Sequence, residues 1–139
     1  MRDSRVIDIA FGGIYASTSV ETGKVSLFRL LDFNLDAVHL AFYEEKFDAV
    51  PSAADVRALE PFILHAPIDA RTMLRDDELQ LIAEVPLSAA DLEGYMVYLE
   101  GASEAEKGEI AERLIALSHT RALRVRLRAV DDRLEVEEP

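Results

Sequence analysis

The chain has no cysteine and no tryptophan among its 139 residues. Without thiols there is no disulfide framework, no thiolate nucleophile and no zinc–thiolate site, and a reducing cytoplasm is the compartment such a chain suits. Its uncharged apolar runs fall far short of the roughly 20 residues that a membrane-spanning helix needs. Acids at Asp3 and Asp8 interrupt the stretch where a secretory signal would carry its apolar centre. Serine–glycine linkers, like-charge blocks and low-complexity segments are missing too, so residues 1–139 read as a single domain.

Familiar catalytic signatures are equally scarce. Gly23-Lys24 has Thr18 where a phosphate-binding loop needs its first glycine, and Val25 where it needs a hydroxyl. Gly12-Gly13 is too short for a dinucleotide fingerprint, and neither Gly-x-Ser-x-Gly nor His-Glu-x-x-His occurs. Carboxylates cluster at Glu44-Glu45, Asp76-Asp77-Glu78 and Asp131-Asp132. None has the sharp glycine turn and spaced ligands of a calcium loop, so all three read as solvated. No metal and no cofactor is expected.

Positive charge is short. Fifteen basic residues face 27 acidic ones for a net charge of −12, and residues 61–100 hold eight acids against two bases. Such a surface repels phosphate backbones, which excludes nucleic acid as a partner and favours a basic protein. Only three of the basic residues are lysine, a bias that fits a GC-rich bacterial coding sequence.

What is present speaks mainly of folding. Ala122 to Ala129 alternates arginine with apolar residues at period 2, and Leu134-Glu135-Val136-Glu137 alternates in the same way. A turn at Asp131-Asp132 sets Arg128 opposite Glu135, Arg126 opposite Glu137, Leu127 opposite Val136 and Ala129 opposite Leu134. One register thus makes a charge-paired face and an apolar face, which explains the arginines without nucleic acid.

The first third reads as an antiparallel β-meander: 14–20, a turn at Glu21 to Lys24, 25–31, a turn within Asp32 to Asp36, then 37–43. Val6 to Phe11 adds a strand that Gly12-Gly13 would close onto Ile14. Short helices follow. Ser52 caps one that Pro61 ends, and Phe62 to Ala66 makes a strand stopped by Pro67. Asp69 caps a brief turn to Leu74, and 79–85 forms a strand. Ser88 to Asp91 starts a helix that ends near Gly101, and Ser103 with Glu106 forms a capping box for the next. That last helix turns Ile110, Leu114 and Leu117 inward and pairs Glu109 with Arg113 on its wet side. The class is α+β: N-terminal meander, central short helices, C-terminal hairpin.

Candidate functional residues are few. His39 and His65 titrate near neutrality, and Asp69 lies four residues beyond His65, so the three form the candidate catalytic or ligand-binding set. His119, in a last helical turn, suits the helix dipole. Tyr95 and Tyr98 share a helix face beside Asp91 and Glu93, a pattern that fits an acid-flanked aromatic binding surface. Two readings follow. One is a non-catalytic acidic interaction domain, inhibitor- or immunity-like, that masks a basic partner through Asp91, Glu93, Tyr95 and Tyr98. The other is a small enzyme or ligand-binding protein with a pocket lined by His39, His65 and Asp69. Convergence of two histidines and a carboxylate in one cleft would favour the second, and histidines scattered on separate surfaces the first.

Overall fold

The computed structural model describes residues 4–76, 78–120, 125–130 and 133–137. Along them run β1 (Ser4–Ile9), β2 (Gly13–Thr18), β3 (Val25–Asn34), β4 (Ala37–Phe47), α1 (Ala53–Arg57), β5 (Ile63–Asp69), α2 (Ala70–Asp76) and β6 (Glu78–Glu84). A 3-10 turn at Ala90–Leu92, α3 (Glu93–Tyr98), α4 (Glu104–Ser118), β7 (Val125–Val130) and β8 (Arg133–Glu137) complete the order. The strands form two antiparallel sheets, β5-β4-β3-β2-β6 and β1-β7-β8. The α+β class, the N-terminal meander and the C-terminal hairpin are all present. No helix among the described residues is long and apolar enough to cross a membrane.

The closing hairpin has the expected register: Arg126 opposite Glu137, Leu127 opposite Val136, Arg128 opposite Glu135 and Ala129 opposite Leu134. Its turn at Asp131-Asp132 lies outside the described residues, as do Ala122 to Arg124. The charged face spans a third strand, because Arg126 Nε lies 2.8 Å from Asp8 Oδ1 in β1. Arg128 stays 4.0 Å from Glu135. Leu127, on the other face, is fully buried.

β1 does not fold back on β2. Both edges of β2 are taken, by β3 and by β6, so β1 crosses to the other sheet and pairs with β7. Tyr15 latches the crossing: its hydroxyl accepts the Ala10 amide at 3.0 Å and donates to the Asp8 carbonyl at 2.8 Å. Gly12 makes the bend at φ +82°, where a Cβ would meet the Val85 carbonyl oxygen at 2.3 Å. Only glycine fits there.

Alternation along the meander loads both faces of the larger sheet. Ile14, Ala16, Val25, Leu27 and Tyr43 cover α1 through Val56 on one side. Tyr15, Phe28, Leu30 and Leu40 pack on the other against Met73 and Leu74 of α2, Tyr95 of α3 and Leu114 of α4, with Ile9 and Leu127 of the second sheet. β5 runs through Pro67 instead of stopping there, since an edge strand tolerates a residue without an amide proton. α1 and α4 start where expected, with Ser52 accepting the Asp55 amide and Ser103 and Glu106 closing a capping box. Arg113 turns inward to Asp32, 3.5 Å away, and not to Glu109.

Candidate functional site

His39 sits in β4, opposite Pro67 in β5, and His65 lies two residues before that proline. This register brings the two imidazoles together, with His39 Nδ1 2.8 Å from His65 Nε2. α3 packs over β5 so closely that a Cβ on Gly94 would lie 2.7 Å from that of Leu64. Tyr95 and Tyr98, one turn apart, therefore face the histidines. Ring centroids are 4.6 Å apart for His39 and Tyr95, and 4.5 Å for His65 and Tyr98. The cluster is graded in exposure: His39 is 3% and Tyr95 1% exposed, whereas Tyr98 is 51% exposed.

A buried carboxylate anchors the inner end. Asp32, at 2% exposure in β3, accepts the Tyr95 hydroxyl at 2.7 Å, the Asn34 side-chain amide at 3.2 Å and the Phe33 backbone amide at 2.7 Å. The Arg113 guanidinium offsets its charge. Asn34 also donates to the Tyr95 hydroxyl at 3.0 Å. With its amide nitrogen so committed, the Asn34 carbonyl oxygen faces His39 Nε2 at 3.4 Å. These roles fix the tautomers: His39 carries its proton on Nε2 and accepts on Nδ1, and His65 donates from Nε2. The lone pair on His65 Nδ1 then has no partner among the described residues.

Both imidazoles are held neutral. Burial lowers the His39 pKa, against the opposing pull of Asp32. Burial, then the neighbouring His39, lowers His65 to about 4. Burial and the hydrogen bond to Asp32 raise Tyr95 well above the usual phenol range. The cluster is thus an uncharged, aromatic hydrogen-bonding wall at neutral pH.

Four sequence candidates, His39, His65, Tyr95 and Tyr98, come together here. Asp69 does not join them. It lies opposite Ala37, caps α2 through the Arg71 amide at 2.8 Å and pairs with the Arg71 side chain, which hold it at about 2. Asp91 is engaged in the fold: it pairs with the buried Arg29 at 3.0 Å and accepts the Ser88 amide at 2.8 Å. Glu93 is exposed at the start of α3. His119 caps α4, its Nδ1 2.8 Å from the Ile115 carbonyl. Asp32, Asn34 and Arg113 are the site residues that sequence reasoning missed. One signal was available, an acid set among the apolar residues of 27–33. Among the described residues, no three His, Asp or Glu side chains converge as metal ligands.

Along the segments that carry β5 and α3, Phe62, Leu64, Val97 and Tyr98 are 66%, 55%, 72% and 51% exposed. Glu60, Glu93 and Glu100 are exposed on the same two chain segments. No protein-family model, no curated protein and no solved structure matches the chain.

Proposed function

We propose that this protein is an interaction domain whose working surface is formed by β5 and α3. The supporting observation is that Leu64 of β5 and Val97 and Tyr98 of α3 are exposed on two elements in direct contact, with exposed Phe62 immediately before β5. Exposed apolar side chains grouped in this way mark association surfaces more often than isolated ones do. The carboxylates of Glu60, Glu93 and Glu100 select the partner's charge: an apolar ridge edged by lysine and arginine. Masking such a ridge is how an inhibitor- or immunity-like protein works, and a cysteine-free chain suits a cytoplasmic setting.

Asp91 is a poor probe of this idea, since reversing it would strand Arg29 inside the fold. The test uses exposed positions instead. Tagged protein, expressed in its native host, is compared with Val97→Asp and Phe62→Ser on one side and Glu93→Lys with Glu100→Lys on the other. A partner retained by the parent should be lost with the first pair and become less salt-sensitive and weaker with the second. Equal retention by all variants would contradict the assignment.

A second reading rests on a separate observation, the 2.8 Å contact between His39 and His65 next to buried Asp32. It makes His65 Nδ1 an oriented proton acceptor for a small substrate or ligand. Under that reading His65→Asn abolishes the activity and Val97→Asp leaves it intact. Docking through β5 and α3 requires the opposite ranking for Val97.

A further inference from the structure

A second feature lies on the face of the larger sheet that packs against α2, toward Ser17 of β2 and Lys46 of β4. Leu79, Ser17, Ser26 and Lys46 are successive register partners across β6, β2, β3 and β4. They border a cavity of about 290 Å³ whose apolar lining includes Phe28, Leu40, Phe42, Ile68 and Met73. Thr72 of α2 adds a hydroxyl to the rim. The volume is at the lower end of what small-molecule sites enclose.

The charge of this rim runs against the rest of the molecule. The chain carries 27 acids and a net charge of −12, yet no acid lines the cavity among the described residues. Its one charged lining group is Lys46, whose ammonium donates to Ser26 Oγ at 2.9 Å and makes no ion pair among the described residues. A cation beside two serines and a threonine, over a floor of aromatic and aliphatic side chains, is complementary to an anionic head on a hydrocarbon tail.

We propose that this cavity binds a small amphiphilic carboxylate. The head hydrogen-bonds Lys46 and the Ser26 hydroxyl, and the tail lies on Phe28, Leu40 and Phe42. Removal of the tail from water supplies most of the affinity, and the charge-assisted bonds supply the choice of head.

The probes are octanoate, octanol and octylammonium, titrated into the full chain and followed by backbone amide NMR shifts. Octanoate should move the resonances of Ser17, Ser26, Phe42 and Thr72. Octanol should bind about tenfold more weakly, the scale of one lost charge-assisted hydrogen bond. Octylammonium, although favoured by the overall negative charge, should bind more weakly still. Lys46→Met, exposed and outside the core, should abolish the preference for octanoate over octanol. Met73→Phe, which fills the cavity, should weaken both. Octylammonium binding best, octanoate shifts scattered elsewhere, or an undiminished preference in Lys46→Met would overturn the proposal.

Discussion

Single side chains in this protein do unequal work, and Arg29 does the most. The residue is 7% exposed, and its guanidinium donates to the carbonyls of Gly12, Val85 and Pro86 and pairs with Asp91. Arg29→Ala would take the guanidinium away from three backbone carbonyls and leave Asp91 without its cation, so urea denaturation should show a loss of about 3–5 kcal/mol. Arg29→Lys should recover little, because an ammonium cannot span four acceptors. Leu35 is the converse case. It lies at the β3–β4 turn with φ +49° and 96% exposure, so it buries almost nothing there and carries left-handed strain. Leu35→Asn should raise stability by about 0.5–1 kcal/mol, measured as a shift in the denaturation midpoint. His65 supplies the pH dependence. Its folded pKa of about 4 lies below its ordinary 6.5, so between those values the unfolded chain binds more protons than the folded one. Stability should therefore be full above pH 6.5 and fall as the pH drops toward 4, by about 1–2 kcal/mol after allowance for the solvent that reaches the ring. His39 shifts in the same direction and steepens the loss. His65→Asn should flatten this window, whereas the Asp69 contribution, held between 3.8 and about 2, should persist below it. A flat stability profile between pH 6.5 and 4 in the parent protein would contradict the neutral histidine pair.

At the level of elements, what the sequence revealed depended on how local the determining interactions were. The β7–β8 register was legible because charge pairing and apolar burial select the same alignment over adjacent residues. The caps at Ser52 and Ser103 were legible for the same reason. The partner of β1 was not: β7 lies more than a hundred residues away, and the choice follows from β6 occupying the free edge of β2. Likewise Arg113 had a plausible neighbour at Glu109, one helical turn back, and the stronger attraction of buried Asp32 emerges only when α4 is packed on the sheet. The meeting of His39 with His65 required the β4–β5 register, and that of Tyr95 with Asp32 required α3 to be placed. The closing hairpin separates charge from burial in a testable way. Arg128→Gln with Glu135→Gln removes an exposed 4.0 Å pair and should change stability by less than about 0.5 kcal/mol. Leu127→Ala, at a fully buried position in the same strand, should cost about 2–5 kcal/mol in the same urea assay.

For the molecule as a whole, two surface regions differ in character. The flank beyond α2 holds a cavity edged by Lys46, and the β5–α3 flank presents apolar side chains among carboxylates. Asp32, Tyr95, Asn34 and the histidines form a polar seam that fixes α3 on the sheet. The net charge was readable from composition, but its uneven distribution over the surface was not, since it depends on which strands become neighbours. The most direct test of a docking role for β5 and α3 is photocrosslinking in the native host, with a photoreactive residue at Val97 or, as the control, at Val20. The two positions are 72% and 65% exposed, so reactivity toward solvent is matched. A docking surface at α3 predicts one discrete crosslinked product from position 97, abolished by Phe62→Ser, and none from position 20. Equal labelling from both positions, or a discrete product from position 20 alone, would contradict it.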